Sequence, residues 1–219
     1  MPAEGLTAAR GNATRTKTKT AWGGMSKAFL FPGQGSQAVG MGKALAGMFP
    51  QARSVISEVD EALGQKLSFL MFEGPQDKLT LTANAQPALF AVSLAAVRVL
   101  EAEAGLKLAR DAGFVAGHSL GEYSALAAAE SLSIGEAARL LRARGLAMQE
   151  AVPVGAGAMA ALLGVDYDAA LAIAKNAAEQ TAGGGVCEVA NDNGGGQVVL
   201  SGSAGAVHRA VEIANARAR

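Results

Sequence analysis

The spacing of apolar and polar positions divides the chain into short buried strands and amphipathic helices. Ala28-Phe29-Leu30-Phe31 is an apolar run that feeds Pro32-Gly33-Gln34-Gly35-Ser36-Gln37, the pattern of a buried strand ending in a glycine turn. Gln51 to Leu63 carries Val55, Ile56, Val59, Ala62 and Leu63 at helical spacing. Asn84 to Ala104 reads as a longer helix, with Asn84 as N-cap and Pro87 in its first turn. Its apolar stretch, Pro87 to Leu100, contains Ser93 and Arg98 and falls short of the roughly 20 residues a membrane span needs, so it predicts a buried helix. Gly113 to Gly117 reads as a second short strand and Ser119 to Ala129 as a helix of small residues. Ser133-Ile134-Gly135-Glu136 is a capping box that opens a helix to about Glu150.

After Pro153 the texture changes. Ala158 to Leu163 predicts a strand, Tyr167 to Ala178 a helix, and Val186 to Ala190 with Gln197 to Ser201 a strand pair across the turn 191–196. Ala204 onward predicts a final helix. Strand–helix–strand–strand–helix is most of a ferredoxin-like split unit, without its last strand. The chain therefore divides near residue 152, into an α/β part (27–152) and a smaller ferredoxin-like α+β subdomain (153–219). Residues 1–26 differ from both. Arg10, Arg15, Lys17 and Lys19 face one acid, Glu4, with no apolar stretch of a secretory signal. They read as a disordered leader or as sequence ahead of a start at Met25. A basic, acid-poor leader is also the pattern of an organellar transit peptide. The last helix stops without a Gly or Pro signal, which reads as an end in mid-element.

Composition narrows the function. Half of the 219 residues are hydrophobic and 17% are charged, which excludes a disordered chain. Lys+Arg and Asp+Glu both total 19, without the basic excess of a nucleic-acid or polybasic membrane binder. One cysteine, Cys187, excludes an internal disulfide and a Cys-based zinc site. His118 and His208 are too few for a multi-His site, so no metal is expected.

The chemistry concentrates at Gly117-His118-Ser119-Leu120-Gly121. The letters fit G-x-S-x-G, and a strand before Ser119 with a helix after it is the nucleophile-elbow arrangement. The turn lifts the Ser119 hydroxyl out of the fold at a helix N-terminus, where amide N–H groups can stabilise an oxyanion. If the Gly33–Gln37 turn lies beside this elbow at the end of a parallel strand, its amides would complete the hole. On the next helix Ala137, Leu141, Arg144 and Met148 share a narrow arc, while Arg139 and Arg142 point to water. An arginine on an apolar stripe meets an anion or serves the helix C-terminal dipole. Beside a nucleophile it would suit a carboxylate. No residue presents itself as the general base. His118 adjoins Ser119 too closely to converge on it, and His208 lies on the polar side of the last helix.

Phe31-Pro32-Gly33-Gln34-Gly35-Ser36-Gln37, Ala85-Gln86-Pro87-Ala88, Gly117-His118-Ser119-Leu120-Gly121-Glu122-Tyr123, Arg144-Gly145 and Gly157-Ala158-Met159-Ala160-Ala161 together resemble the malonyl-CoA:acyl carrier protein transacylases, in order and spacing, from about residue 27 onward. The resemblance implies a hydrolase-like parallel-sheet core, incomplete here, with a ferredoxin-like insertion. It implies transfer of malonyl from coenzyme A to the phosphopantetheine thiol of acyl carrier protein through a malonyl-serine, with no bound cofactor. Ser119 would be the nucleophile, the N–H groups of Gln34 and Leu120 the oxyanion hole, and Arg144 the carboxylate partner. Gln86, His118, Met148 and Asn191 or Asn193 would line the pocket. The family's catalytic histidine follows the small domain's last strand, so the resemblance reads this chain as a C-terminally truncated portion, about two-thirds of the usual length, with the general base absent. His208 does not inherit that role. Such a chain would expose a sheet edge and apolar faces, be of low stability, and be a cytoplasmic monomer at full length, or mitochondrial if the leader is a transit peptide. Two other readings fit parts of the pattern. A serine esterase would follow from G-x-S-x-G alone, and a non-catalytic module binding acyl-CoA or acyl carrier protein would follow from the missing base.

Overall fold

A computed structural model describes residues 27–217, so the reading of residues 1–26 lies outside it. Strand β1 (Lys27–Phe31) leads into a run of helices: α1 (Lys43–Met48), α2 (Pro50–Leu63), α3 (Leu67–Glu73), α4 (Gln76–Thr80), α5 (Thr82–Glu103) and the short α6 (Leu108–Asp111). Then come β2 (Ala112–Gly117), α7 (Gly121–Ala128) and α8 (Ile134–Ala151). The remainder is β3 (Gly157–Leu163), α9 (Tyr167–Gln180), β4 (Cys187–Asp192), β5 (Gln197–Ser203) and α10 (Ala204–Arg217). The result is a mixed α/β fold with two sheets. β1 and β2 form a parallel pair, and the others an antiparallel sheet in the order β3-β5-β4.

The parallel pair aligns Phe31 with Gly117, so the turns after both strands emerge side by side at their carboxyl ends. The His118 N–H donates to the Phe31 carbonyl oxygen at 3.0 Å and locks the two turns together. One face of the pair packs inward through Phe29, Phe31 and Val115. The other carries Leu30, 76% exposed, and Phe114, 69% exposed. Parallel sheets are ordinarily covered on both faces, so this is an unusual surface.

Helix α5 is the axis of the larger core. Apolar on nearly every side, it is long and apolar enough by composition to cross a membrane, but 67% of that stretch is buried inside the fold. Its small residues Ala83, Ala85, Ala88 and Ala91 let α2 and α8 close in. Two expectations about its start need correction. Leu81, not Asn84, is the N-cap residue, and Pro87 lies inside the helix beyond the first turn. The reason is tertiary. The Ala83 N–H, one of the donors left free at a helix start, is taken by Gln149 Oε1 from α8 at 2.9 Å. Asn84 is thereby released to accept from Arg142 Nη1 at 2.6 Å and donate to the Lys78 carbonyl oxygen at 2.8 Å. The same contact corrects Arg142. It is half-buried against α5 instead of pointing to water, and burial pulls its pKa down.

Among the described residues the buried apolar side chains form two clusters. One runs from Phe31 to Leu141 and the other from Leu162 to Ala210. In the second, α9 and α10 cover one face of the antiparallel sheet, with Ile173, Leu200 and Val207 at its centre. The capping box is realised: Ser133 and Glu136 form the reciprocal pair on α8. Asp166, which the sequence reading did not single out, caps α9 by accepting from the Ala169 N–H at its Oδ1.

Candidate active site

Ser119 adopts φ 54, the left-handed region that a serine enters only when its surroundings force it. The force is steric. A Cβ on Gly117 would lie 1.9 Å from the carbonyl of Gly121, and one on Gly121 would lie 2.2 Å from the Phe31 carbonyl oxygen. Only glycines allow strand, turn and helix to cross this closely. The exposed hydroxyl is therefore presented at the first turn of α7, as expected for an elbow.

Gln34 and Leu120 lie in the turns that follow the paired ends of β1 and β2. Among the described residues neither N–H enters a backbone hydrogen bond outside regular helices and strands. Leu120 is buried as the N-cap of α7, and Gln34 sits in the exposed turn after β1.

Arg144 reaches this point from α8. Its Nη2 donates to Ser119 Oγ at 3.0 Å, and its Nη1 donates to Gln86 Oε1 at 2.5 Å. The approach depends on the next residue: a Cβ on Gly145 would lie 2.5 Å from the Ala83 Cα on α5. Both acceptors of Arg144 are neutral, and none of the ion pairs among the described residues includes it. Its charge is held in place but not cancelled, which is the electrostatic condition for receiving an anion.

Gln86 is fully buried, with its Nε2 donating to Thr82 Oγ1 at 2.8 Å and to Met148 Sδ at 3.4 Å. Met148, half-exposed, thus stands beside the Arg144–Gln86 pair. Thr82 Oγ1 in turn donates to Gln34 Oε1 at 2.9 Å. Sequence reasoning missed Thr82 because it placed the helix start two residues later. The signal was present: Thr82 is four residues before Gln86 and so on the same helical face.

From the second half of the chain, Asn193 meets His118, while Asn191 lies on β4. Asn193 Nδ2 donates to Gln197 Oε1 at 2.9 Å, which leaves its Oδ1 to accept from His118 Nε2 at 3.0 Å. Asn191 pairs within the sheet opposite Val199, next to a shift of register after Val189. His208 is exposed on α10. No described residue accepts a hydrogen bond from Ser119, whose side-chain partner is the donor-only Arg144. Cys187 is no rival nucleophile: it is buried, and burial pushes its thiol pKa up.

The arrangement offers a raised hydroxyl, two amides at the ends of adjacent strands, and an unneutralised cation within hydrogen-bond reach of the hydroxyl. Acyl transfer from a donor bearing a carboxylate needs those three things. Comparison with known proteins gives the family. The acyl transferase domain pattern matches residues 28–219. A malonyl CoA-acyl carrier protein transacylase of Bacillus subtilis (strain 168) is 50% identical over 191 residues, covering 87% of this chain and 58% of that protein. The crystal structure of an acyl-carrier-protein S-malonyltransferase from Bartonella henselae superposes with a TM-score of 0.79 at 58% identity, covering 88% of this chain and 60% of that one. A malonyl-transacylase solved in complex with its type II PKS acyl-carrier protein matches with a TM-score of 0.75 at 40% identity, covering 88% of this chain and 60% of that one. The chain thus spans 58–60% of the length of these relatives.

Proposed function

The chain belongs to the acyl transferase domain family, and from that premise we propose that it serves transfer of a malonyl group from malonyl-CoA to the phosphopantetheine thiol of an acyl carrier protein, a step of fatty-acid biosynthesis. The observation that carries this reading is the 3.0 Å contact between Ser119 and an arginine that has no carboxylate partner among the described residues. A cation so close to the nucleophile suits an acyl group whose carboxylate lies one methylene from the reacting carbonyl. Neutral esters would leave Arg144 without a role.

In the proposed cycle Ser119 Oγ attacks the thioester carbon. The Gln34 and Leu120 amides receive the negative charge that develops on the carbonyl oxygen. The C–S bond breaks, coenzyme A leaves as its thiol, and a malonyl ester remains on Ser119. Arg144 gives up Ser119 Oγ and takes the malonyl carboxylate, with Gln86 orienting the guanidinium and Met148 packing beside it. The carrier thiol then attacks the ester and regenerates the serine. His118, braced by Asn193, lines the entrance. No base is assigned among residues 27–217. The relative solved with its carrier protein supports that partner, and the bacterial sources of the relatives named above support a cytoplasmic setting and lend none to a mitochondrial one. We further read the chain as two units divided near residue 152. The first would be part of a hydrolase-like parallel sheet, and the second a ferredoxin-like unit.

Peptide mass spectrometry after incubation with malonyl-CoA tests the reading. A malonyl adduct on Ser119, absent in Ser119→Ala and reduced roughly tenfold to a hundredfold in Arg144→Ala, is expected, the scale of a hydrogen bond to a charged group. Saturable malonyl-CoA binding without an adduct would instead favour the non-catalytic module, which the lack of a base among the described residues makes the second reading.

A further inference from the structure

One hydroxyl joins the turn after β1 to the arginine on α8. Thr82 Oγ1 donates to Gln34 Oε1 at 2.9 Å and accepts from Gln86 Nε2 at 2.8 Å. Gln86 accepts from Arg144 Nη1 at 2.5 Å and, being fully buried, has no water to turn to. The inventory of donors gives this chain a direction. A guanidinium has only donors, so Gln86 must show Arg144 its carbonyl. Its NH2 then faces the opposite way and needs acceptors, which are Thr82 Oγ1 and Met148 Sδ. A hydroxyl that accepts from Gln86 keeps its single hydrogen for Gln34. Flipping the Gln86 amide would set its NH2 against Arg144, donor against donor, and leave its carbonyl at the thioether.

We propose that Thr82 is a positioning residue of this site: its hydroxyl fixes the orientation of the Gln86 amide, and through it the aim of Arg144 at Ser119, while tying the Gln34 turn to the same network. Thr82 touches no reacting atom and acts through Gln86 and Gln34. Its expected effect on selectivity rests on the malonyl reading; its effect on Gln86 does not.

The test compares Thr82→Val, which keeps the shape and removes the hydroxyl, with Thr82→Ser, which restores the hydroxyl. Calorimetry with malonyl-CoA and acetyl-CoA gives the ratio of affinities. Nuclear magnetic resonance gives the side-chain amide signals of Gln86, assigned by their loss in Gln86→Glu. The proposal expects Thr82→Val to shift those signals and lower the malonyl-to-acetyl ratio about tenfold, with Thr82→Ser close to wild type in both. Unmoved Gln86 signals in Thr82→Val overturn it. Shifted signals with an unchanged ratio overturn the link to Arg144. A wild-type chain that binds both thioesters equally defeats the malonyl reading instead, and the Gln86 signals alone then decide whether Thr82 holds the amide.

Discussion

Beside Ser119, Gly117 and Gly121 sit where backbone meets backbone, whereas beside Asn193, Gly194 and Gly195 sit where nothing meets them. A Cβ on Gly121 would fall 2.2 Å from the Phe31 carbonyl oxygen, whereas one on Gly195 would find no atom within 4 Å. Gly195 is glycine for its φ of 59 alone. The first site is held by steric exclusion and the second by the conformational preference of a turn. Ser119 is thus carried by a part of the fold with no slack, while its neighbour His118 is met by a side chain on an open hairpin. A rigid centre with an adaptable rim suits the proposed transfer, in which two large thiol carriers enter in succession.

The contrast can be broken from either side. Gly121→Ala is expected to cost about 3 kcal/mol or more in urea unfolding, because the backbone of two elements must part to admit one methyl group. A loss under 1 kcal/mol would show that the crossing has slack after all. Gly195→Ala is expected to cost about 1 kcal/mol, the strain of a left-handed alanine with no clash added. At the foot of the elbow strand, Arg110, with help from the Lys107 N–H, holds the Asp111 carboxyl down to about 2. A depressed carboxylate stabilises the fold above its unfolded pKa of about 4 and loses that contribution as pH falls through the folded value. The melting temperature of Asp111→Asn should therefore lie below that of wild type at pH 7, with the gap closing between about pH 4 and pH 2. A gap independent of pH would remove the ion pair as its cause. Asn193→Ala, an exposed contact on the open hairpin, should change stability by less than about 0.5 kcal/mol, while altering the His118 ring signals.

The difference also explains what could be read in advance. The elbow was legible because its constraint is local: Gly117, Ser119 and Gly121 fall within five consecutive positions, between a strand and a helix. Arg144 was legible from helical period, as was the box of Ser133 and Glu136. The short helices α1, α3, α4 and α6 were not, since four to seven residues give too few turns for a period to show. Arg142 was misplaced and Thr82 missed for one reason: the start of α5 is set by Gln149 from another helix. The choice between Asn191 and Asn193 escaped alternation, since the irregularity between Val189 and Asn191 breaks the period of two on which facing depends.

The contact of Gly145 with Ala83 reaches beyond stability. Because α8 rests there on the backbone of α5, with no side chain between, the span from Arg144 to Ser119 is gauged by atoms that neither change rotamer nor compress. On the proposed malonyl reading, selectivity for the acyl group then becomes uncoupled from the composition of the hydrophobic interior. Core variants chosen for heat resistance should keep their substrate preference. An engineer who wants a longer or neutral acyl group must replace the arginine itself, because repacking around it will not move the gauge.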